Sequence, residues 1–278
     1  MKSVLAIGPF IGDFEQEILT FRPYANWLIN VTDYKKAYLS THLNRTFLYE
    51  QLINKDNIIP VNESLSRDEI NQNGYIHKKL QQKEFNTLVK IFKEKITKKE
   101  SCSKRDIDLY HLNYVKSTPP YSIYNKIFDK IKYKETIIPL NHEDRVLFIP
   151  SKNDAPERLF SIYDYLGKNY DSLIVGNNDT WFDEHNVIFE NIDYFENGLK
   201  YIIEYISKAK AIICPISYWT SLCNLQQKPV FSWGARPGQY REGGIYYFGN
   251  KKSVVVPTDE DTDIEVIIKS IGHFLGEL

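Results

Sequence analysis

Two stretches of this chain join a short apolar run to a polar turn whose side chains are suited to chemistry. The first is Ser3-Val-Leu-Ala-Ile-Gly8, followed by Pro9-Phe-Ile-Gly-Asp13. Asp13 stands where a carboxylate caps the helix after a strand. The second is Ala211-Ile-Ile-Cys214, then Pro215, Ser217, Tyr218, Thr220 and Ser221. Free N–H groups and the dipole of a helix start attract phosphate, and hydroxyls add donors. A further apolar run, Pro229 to Trp233, ends at Gly234. Strand, hydroxyl-rich turn, helix and strand make a βαβ unit. Its turn lies on the edge where open α/β sheets bind ligands.

Other polar groups fall at similar places. Ser151 and Lys152 follow the apolar run 145–150. Asn177 follows the run 172–176, where it can contact a base or ribose. Arg236 and Arg241 lie in the Gly-rich segment 235–244, and a guanidinium there can clamp phosphate.

Several chemistries are disfavoured. His42, His77, His111, His142, His185 and His273 are scattered, and no pair has metal-ligand spacing. Asp179 and Asp183 are separated and flank Trp181, so no metal site is expected there. The glycine fingerprints of nicotinamide enzymes and P-loop ATPases are absent. The three cysteines, Cys102, Cys214 and Cys223, form no C-x-x-C pair, which fits a reducing compartment, and a cytoplasmic location is expected. The first residues read as a strand rather than a signal peptide, and no run suits a membrane span.

The elements that position these groups alternate. Apolar spacing predicts a helix over 14–28, ended or kinked by Pro23. A strand over 36–40, a helix over 46–53 and a strand over 57–61 follow. From about 66 to 134 the composition turns Lys-, Tyr- and Asn-rich, and helices with a loop at Ser117-Thr-Pro-Pro-Tyr121 are expected. Between His77 and Glu135 there are 15 Lys and Arg against seven Asp and Glu, although the whole chain carries −1. That asymmetry is either a solvated face or a patch for a phosphate-bearing partner. A second series has strands over 145–150, 172–176, 186–189, 211–214, 229–233 and 253–257. Its helices are expected over 155–166, 194–207 and 263–275, with another opening near Ser217. The alternation predicts an α/β protein with parallel sheets.

This series resembles the GT-B class of glycosyltransferases, particularly the heptosyltransferase-like branch. Gly12-Asp13 matches the Gly-Asp turn that follows the family's first strand. Ile149-Pro-Ser-Lys152 is similar to its phosphate loop. Lys228-Pro229 and Gly234 keep the frame of its last segment, in which Ser217 falls on the family's Ser. Ile216, Tyr218 and Ser221 fall where the family has Asp, Gly and His.

The resemblance implies two Rossmann-like domains facing across a cleft. Residues 1–140 would bind the acceptor and carry the basic insertion at about 66–134. Residues 141–278 would bind the donor. It further implies an inverting, metal-independent transfer of a hexose or pentose from a nucleotide sugar to a hydroxyl, with no cofactor. Asp13 is then the candidate base, with Glu15 and Glu17 nearby. Ser151, Lys152, Asn177, Ser217, Tyr218, Thr220, Ser221 and Arg236 are candidate donor contacts. Glu17, Arg22 and Tyr24 are candidate acceptor contacts. The acceptor is a surface saccharide or, as for phage-type DNA glycosyltransferases of this class, modified DNA, which the basic segment suggests. A nucleotide-sugar epimerase and a non-catalytic nucleotide-sugar-binding module are the alternatives.

Overall fold

The computed structural model describes residues 4–12, 17–61, 82–111, 144–151, 154–176, 190–191, 199–244, 246–259 and 261–278. They belong to two compact units, Met1–Lys132 and Tyr133–Leu278.

In the first unit, β1 (Val4–Ile7) lies between β2 (Lys36–Leu39) and β3 (Ile107–Tyr110), all parallel. β1 is buried along its whole length, as an apolar central parallel strand should be. Helix α1 (Arg22–Val31) follows a π-turn, Glu17–Phe21. Pro23 therefore does not end the helix. It sits in the first turn of α1, directly after the π-turn, so the run changes its helical period just before the proline.

Helix α2 (Gln82–Glu100) lies on this sheet through residues spaced three or four apart. Phe92 and Ile96 pack on Val4, Ala6, Tyr38 and Ile107, while Phe85 and Leu88 pack on Ile11 and Val61.

Three expectations in this unit are corrected. Residues 43–49 form a 3-10 helix in place of an α-helix over 46–53. Its period of three directs Arg45 and Leu48 to the same, buried side. The expected strand over 57–61 shrinks to a bridge between Leu39 and Ile58, with Ile59 and Val61 donating to Leu39 and Thr41. β3 lies where helices and loop were expected; four residues are too short to show a strand period.

The second unit holds a six-stranded parallel sheet. Its strands are β4 (Val146–Phe148), β5 (Ser172–Gly176), β6 (Glu190–Asn191), β7 (Ala211–Pro215), β8 (Val230–Gly234) and β9 (Ser253–Pro257). Their order is β6-β5-β4-β7-β8-β9. The chain winds outward from β4 to one edge, returns to β7 beside β4, and winds outward to the other. The switch point therefore lies between β4 and β7, which pair through Phe148 and Ile213.

The described helices of this unit are α3 (Pro156–Asn169), α4 (Leu199–Lys208), α5 (Tyr218–Leu225) and α6 (Ile264–Gly276). Leu159, Ile162 and Leu166 of α3 share one core with Ile267, Ile271, Phe274 and Leu275 of α6 and the central strands. The expected strand over 186–189 lies outside the described residues. No helix among the described residues is long and apolar enough to cross a membrane.

Candidate functional site

In the second unit, the loops after β4 and β7 open at the switch point, the ligand-binding edge of a doubly wound sheet. Beyond β7, the Ile216 N–H donates to Trp233 O at 2.8 Å, extending the ladder by one residue. Ser217 then leaves the sheet and caps α5. Its Oγ accepts from the Trp219 N–H at 3.2 Å, and Thr220 Oγ1 accepts from the Ser217 N–H at 3.2 Å. This reciprocal cap satisfies two otherwise orphaned donors and fixes the direction of the helix.

The hydroxyls expected around Ser217 divide into two sets. Ser217 and Tyr218 are half-buried at the helix start. Thr220 and Ser221 are fully buried. The Thr220 hydroxyl lies 3.0 Å from Ser232 Oγ and 3.7 Å from Cys214 Sγ. Ser221 Oγ has no hydrogen-bond partner among the described residues. The structure therefore places both in the packing beneath the turn, not at its surface. Burial pushes the Cys214 thiol up to about 11, so it stays protonated at neutral pH.

Ile216, where the resembled family has an acid, is half-buried. It faces Gly234, whose added Cβ would come within 3.1 Å of the Ile216 side chain. Lys228 is structural. It is buried, and its Nζ donates to Ser207 O at 2.8 Å, tying the start of β8 to the end of α4.

Ser151 is half-buried in the turn between β4 and α3, and its carbonyl accepts from the Asp154 N–H at 3.0 Å. Asp154 holds that turn against β8, accepting from Trp233 Nε1 at 2.5 Å and from Arg158 Nη1 at 3.0 Å. Past β8, Arg241 and Arg236 differ. Arg241 Nε donates to Val255 O at 2.9 Å and anchors the loop. Arg236 is exposed and has no ion-pair or hydrogen-bond partner among the described residues. Lys152 and Asn177 lie outside the described residues.

The first unit has its own switch point, between β1 and β3. The turn after β1 is pinned on several sides. The Gly8 N–H donates to Tyr110 O at 2.8 Å and the Phe10 N–H to Ser40 O at 2.9 Å. Gly8 has a φ of +105°, and a Cβ there would lie 2.4 Å from Ser40 O, so only glycine fits. Arg45 Nη1 donates to Gly12 O at 2.9 Å, and the same nitrogen pairs with Glu17 Oε2 at 2.9 Å.

Glu17 and Arg45 are both fully buried. Tyr49 Oη donates to Glu17 Oε1 at 2.8 Å, and Thr41 Oγ1 donates to the same oxygen. Burial raises the Glu17 carboxyl above its ordinary value, while Arg45, Thr41 and Tyr49 oppose that rise. His42 lies against the backbone of Ile11 and Gly12, and burial, reinforced by Arg45, lowers its pKa well below 6.5.

Asp13, the candidate base, lies outside the described residues; the clasped Gly12 immediately precedes it. Glu17 and Arg22, expected at an acceptor surface, are placed inside. Glu17 belongs to the buried cluster, and Arg22 Nε donates to Leu48 O at 2.7 Å. Tyr24 is half-buried, with its ring 6.1 Å from that of Trp27.

Sequence reasoning missed Arg45, His42 and His111. The signal for the first two was the polar run Ser40-Thr-His-Leu-Asn-Arg45 directly after a strand. His111 follows β3 at the switch point. It is half-buried, Phe85 packs edge-on at 5.0 Å, and Nδ1 has no hydrogen-bond partner among the described residues. Its pKa is lowered by burial and by Lys93.

Acidic residues spaced two apart at Asp106–Asp108 and at Asp259, Asp261 and Asp263 do not assemble a metal site. Asp106 caps a 3-10 turn with Ser103, Asp108 accepts from Tyr34 Oη, and Asp263 caps α6. Among the described residues no group of His, Cys, Asp or Glu is arranged to hold a metal ion.

No protein-family model and no curated protein sequence matches the chain. Solved structures do match it over nearly its whole length. The glycosyl transferase family 9 protein from Veillonella parvula superposes with a TM-score of 0.60 at 12% identity, covering 100% of this chain and 98% of its own. E. coli heptosyltransferase WaaC with ADP gives 0.53 at 9%, covering 98% and 99%. The UDP-GlcNAc 2-epimerase of Methanocaldococcus jannaschii gives 0.50 at 13%, covering 99% and 93%. At these identities the likeness is one of fold. The chain has the α/β architecture of GT-B glycosyltransferases, which epimerases share.

Proposed function

We propose that this chain is an inverting, metal-independent glycosyltransferase that uses a nucleotide-linked sugar. The observation that carries this reading is the switch point between β4 and β7. There the Ser217-capped start of α5 and the Asp154-braced turn with Ser151 come from adjacent strands, and Arg236 follows the next strand with its guanidinium unpaired among the described residues. Hydroxyls, a helix N-terminus and a guanidinium suit a diphosphate leaving group.

In the proposed reaction, Asp13 takes the proton of the acceptor hydroxyl. The acceptor oxygen forms its bond to the anomeric carbon as the bond to the diphosphate breaks, so the configuration inverts. Ser217, Arg236 and the α5 terminus meet the charge on the departing diphosphate. The clamp of Arg45 on Gly12 holds the chain next to Asp13.

A saccharide acceptor is favoured over DNA. The neighbours include an E. coli ADP-heptose lps heptosyltransferase, at 11% identity. Two lysines of the basic segment are also already engaged: Lys104 pairs with Glu94, and Lys99 donates to Asp56 O. Neighbours holding ADP and ADP-2-deoxy-2-fluoro heptose make an ADP-linked sugar the first donor to test.

A thermal-shift panel of UDP-, GDP-, ADP- and CMP-linked sugars tests the reading. One nucleotide is expected to raise the melting temperature selectively, because a ligand of the native state stabilises it by mass action. Asp13→Asn should keep that shift and lose transfer by roughly 10²- to 10⁴-fold. No shift with any donor overturns the proposal. Isomerised donor in the absence of an acceptor replaces it with the epimerase.

A further inference from the structure

A cavity of about 470 Å³ opens in the first unit at the carboxyl ends of β1 and β2. This size lies within the roughly 300–1,000 Å³ of small-molecule sites. Pro9 of the pinned turn forms part of its wall, Leu43 and Val61 line it from beyond β2, and Ile91, Phe92 and Lys95 line it from α2. Leu43 and Ile91 are 44% and 42% exposed, so two large apolar side chains meet solvent at the same cavity. Ser40, the one hydroxyl residue of the lining among the described residues, is 3% exposed, and its backbone is bonded into the turn.

Lys95 is exposed and lacks an ion-pair or hydrogen-bond partner among the described residues. Among the described residues it is the sole cation lining the cavity. A bare sugar held here would turn its hydroxyls toward apolar walls and leave them unpaired, which is costly. A body of one or two rings, or a short alkyl chain, matches those walls, and one phosphate or carboxylate matches Lys95.

We infer that this cavity binds a small amphiphilic anion, with its apolar body against Leu43 and Ile91 and its charged group at Lys95. Pro9 lines the cavity and begins the turn that leads to Asp13. On the transferase reading above, on which this assignment of role rests, the occupant is the apolar part of the acceptor. Binding itself does not depend on that reading.

Calorimetric titration of the full chain tests it, with 1-naphthyl phosphate as the ring probe and n-octyl phosphate as the chain probe. Inorganic phosphate and n-octyl glucoside are the controls. At least one amphiphilic phosphate is expected to bind, and inorganic phosphate far more weakly. Ile91→Asp should weaken that probe roughly tenfold by placing a charge on the apolar wall. Lys95→Glu should weaken it roughly fivefold while leaving n-octyl glucoside unchanged. Both positions are exposed, so melting temperatures should stay near wild type.

Failure of both phosphates to bind overturns the inference, as does inorganic phosphate binding equally well or Ile91→Asp leaving the affinity unchanged. If an amphiphilic phosphate binds as expected and no nucleotide sugar shifts the melting temperature, the cavity stands and the transferase reading falls. A donor shift without cavity binding has the opposite meaning.

Discussion

The turns after β1 and β7 occupy equivalent places, at the switch point of a parallel sheet in each unit, yet they are held in different ways. The β7 turn closes on itself: Ser217 Oγ accepts from the Trp219 N–H, and Thr220 Oγ1 accepts from the Ser217 N–H. The β1 turn is fastened from outside, by Ser40, Tyr110 and the buried Glu17–Arg45 pair. A local cap forms with its helix and uses neutral groups. A tertiary clamp needs the whole unit folded, and it buries charges that are tolerable only together. The first turn should therefore be far more sensitive to substitution and to pH than the second.

The largest effect is expected from Arg45→Met. It leaves Glu17 buried without its cation, and urea unfolding should show a loss of about 3–5 kcal/mol. Adding Glu17→Gln should recover part of that loss; a double variant no more stable than Arg45→Met alone would mean that the two charges do not act as a pair. Next comes Gly8→Ala, which sets a Cβ against Ser40 O at a φ of +105°. A cost of at least about 1–3 kcal/mol is expected in thermal unfolding.

His42 supplies the pH dependence. Its folded-state pKa lies well below 6.5, so the unfolded chain binds the proton more tightly. Its contribution to stability is full above pH 6.5 and is lost as the pH falls toward the folded value. Comparing wild type with His42→Gln over that range should show a difference in slope of up to about 1.4 kcal/mol per pH unit. Parallel curves would mean that His42 titrates equally in both states.

Ser217→Ala should have the smallest effect on stability, about 1 kcal/mol for a lost helix cap. It sharpens the comparison because its main consequence is expected in the nucleotide-sugar thermal shift. An unchanged shift would remove Ser217 from the donor site.

Legibility in the sequence followed the same division. The β7–α5 unit was readable because its parts are adjacent: an apolar run, a hydroxyl at the helix start and a following apolar run. β9 was read at its observed limits, and Asp263 announced the start of α6. Where local signals were weak or misleading, the reading failed. A four-residue β3 shows no period, and the apolar run 57–61 pairs with β2 only through a bridge at Ile58. The 3-10 segment 43–49 contradicts its helical pattern because Arg45 is drawn inward to Glu17, 28 positions away.

The sequence by itself determined which segments alternate between strand and helix, and that polar groups cluster at strand ends. Periodicity and capping are short-range properties, written within a few residues of where they act. Only the tertiary structure decided which of those polar groups stay at the surface. It turned Thr220 and Ser221 inward beneath Ser217, took Glu17 and Arg22 into the core, and left Arg236 exposed while Arg241 anchors a strand. Burial and pairing depend on partners far along the chain, and no local pattern records them.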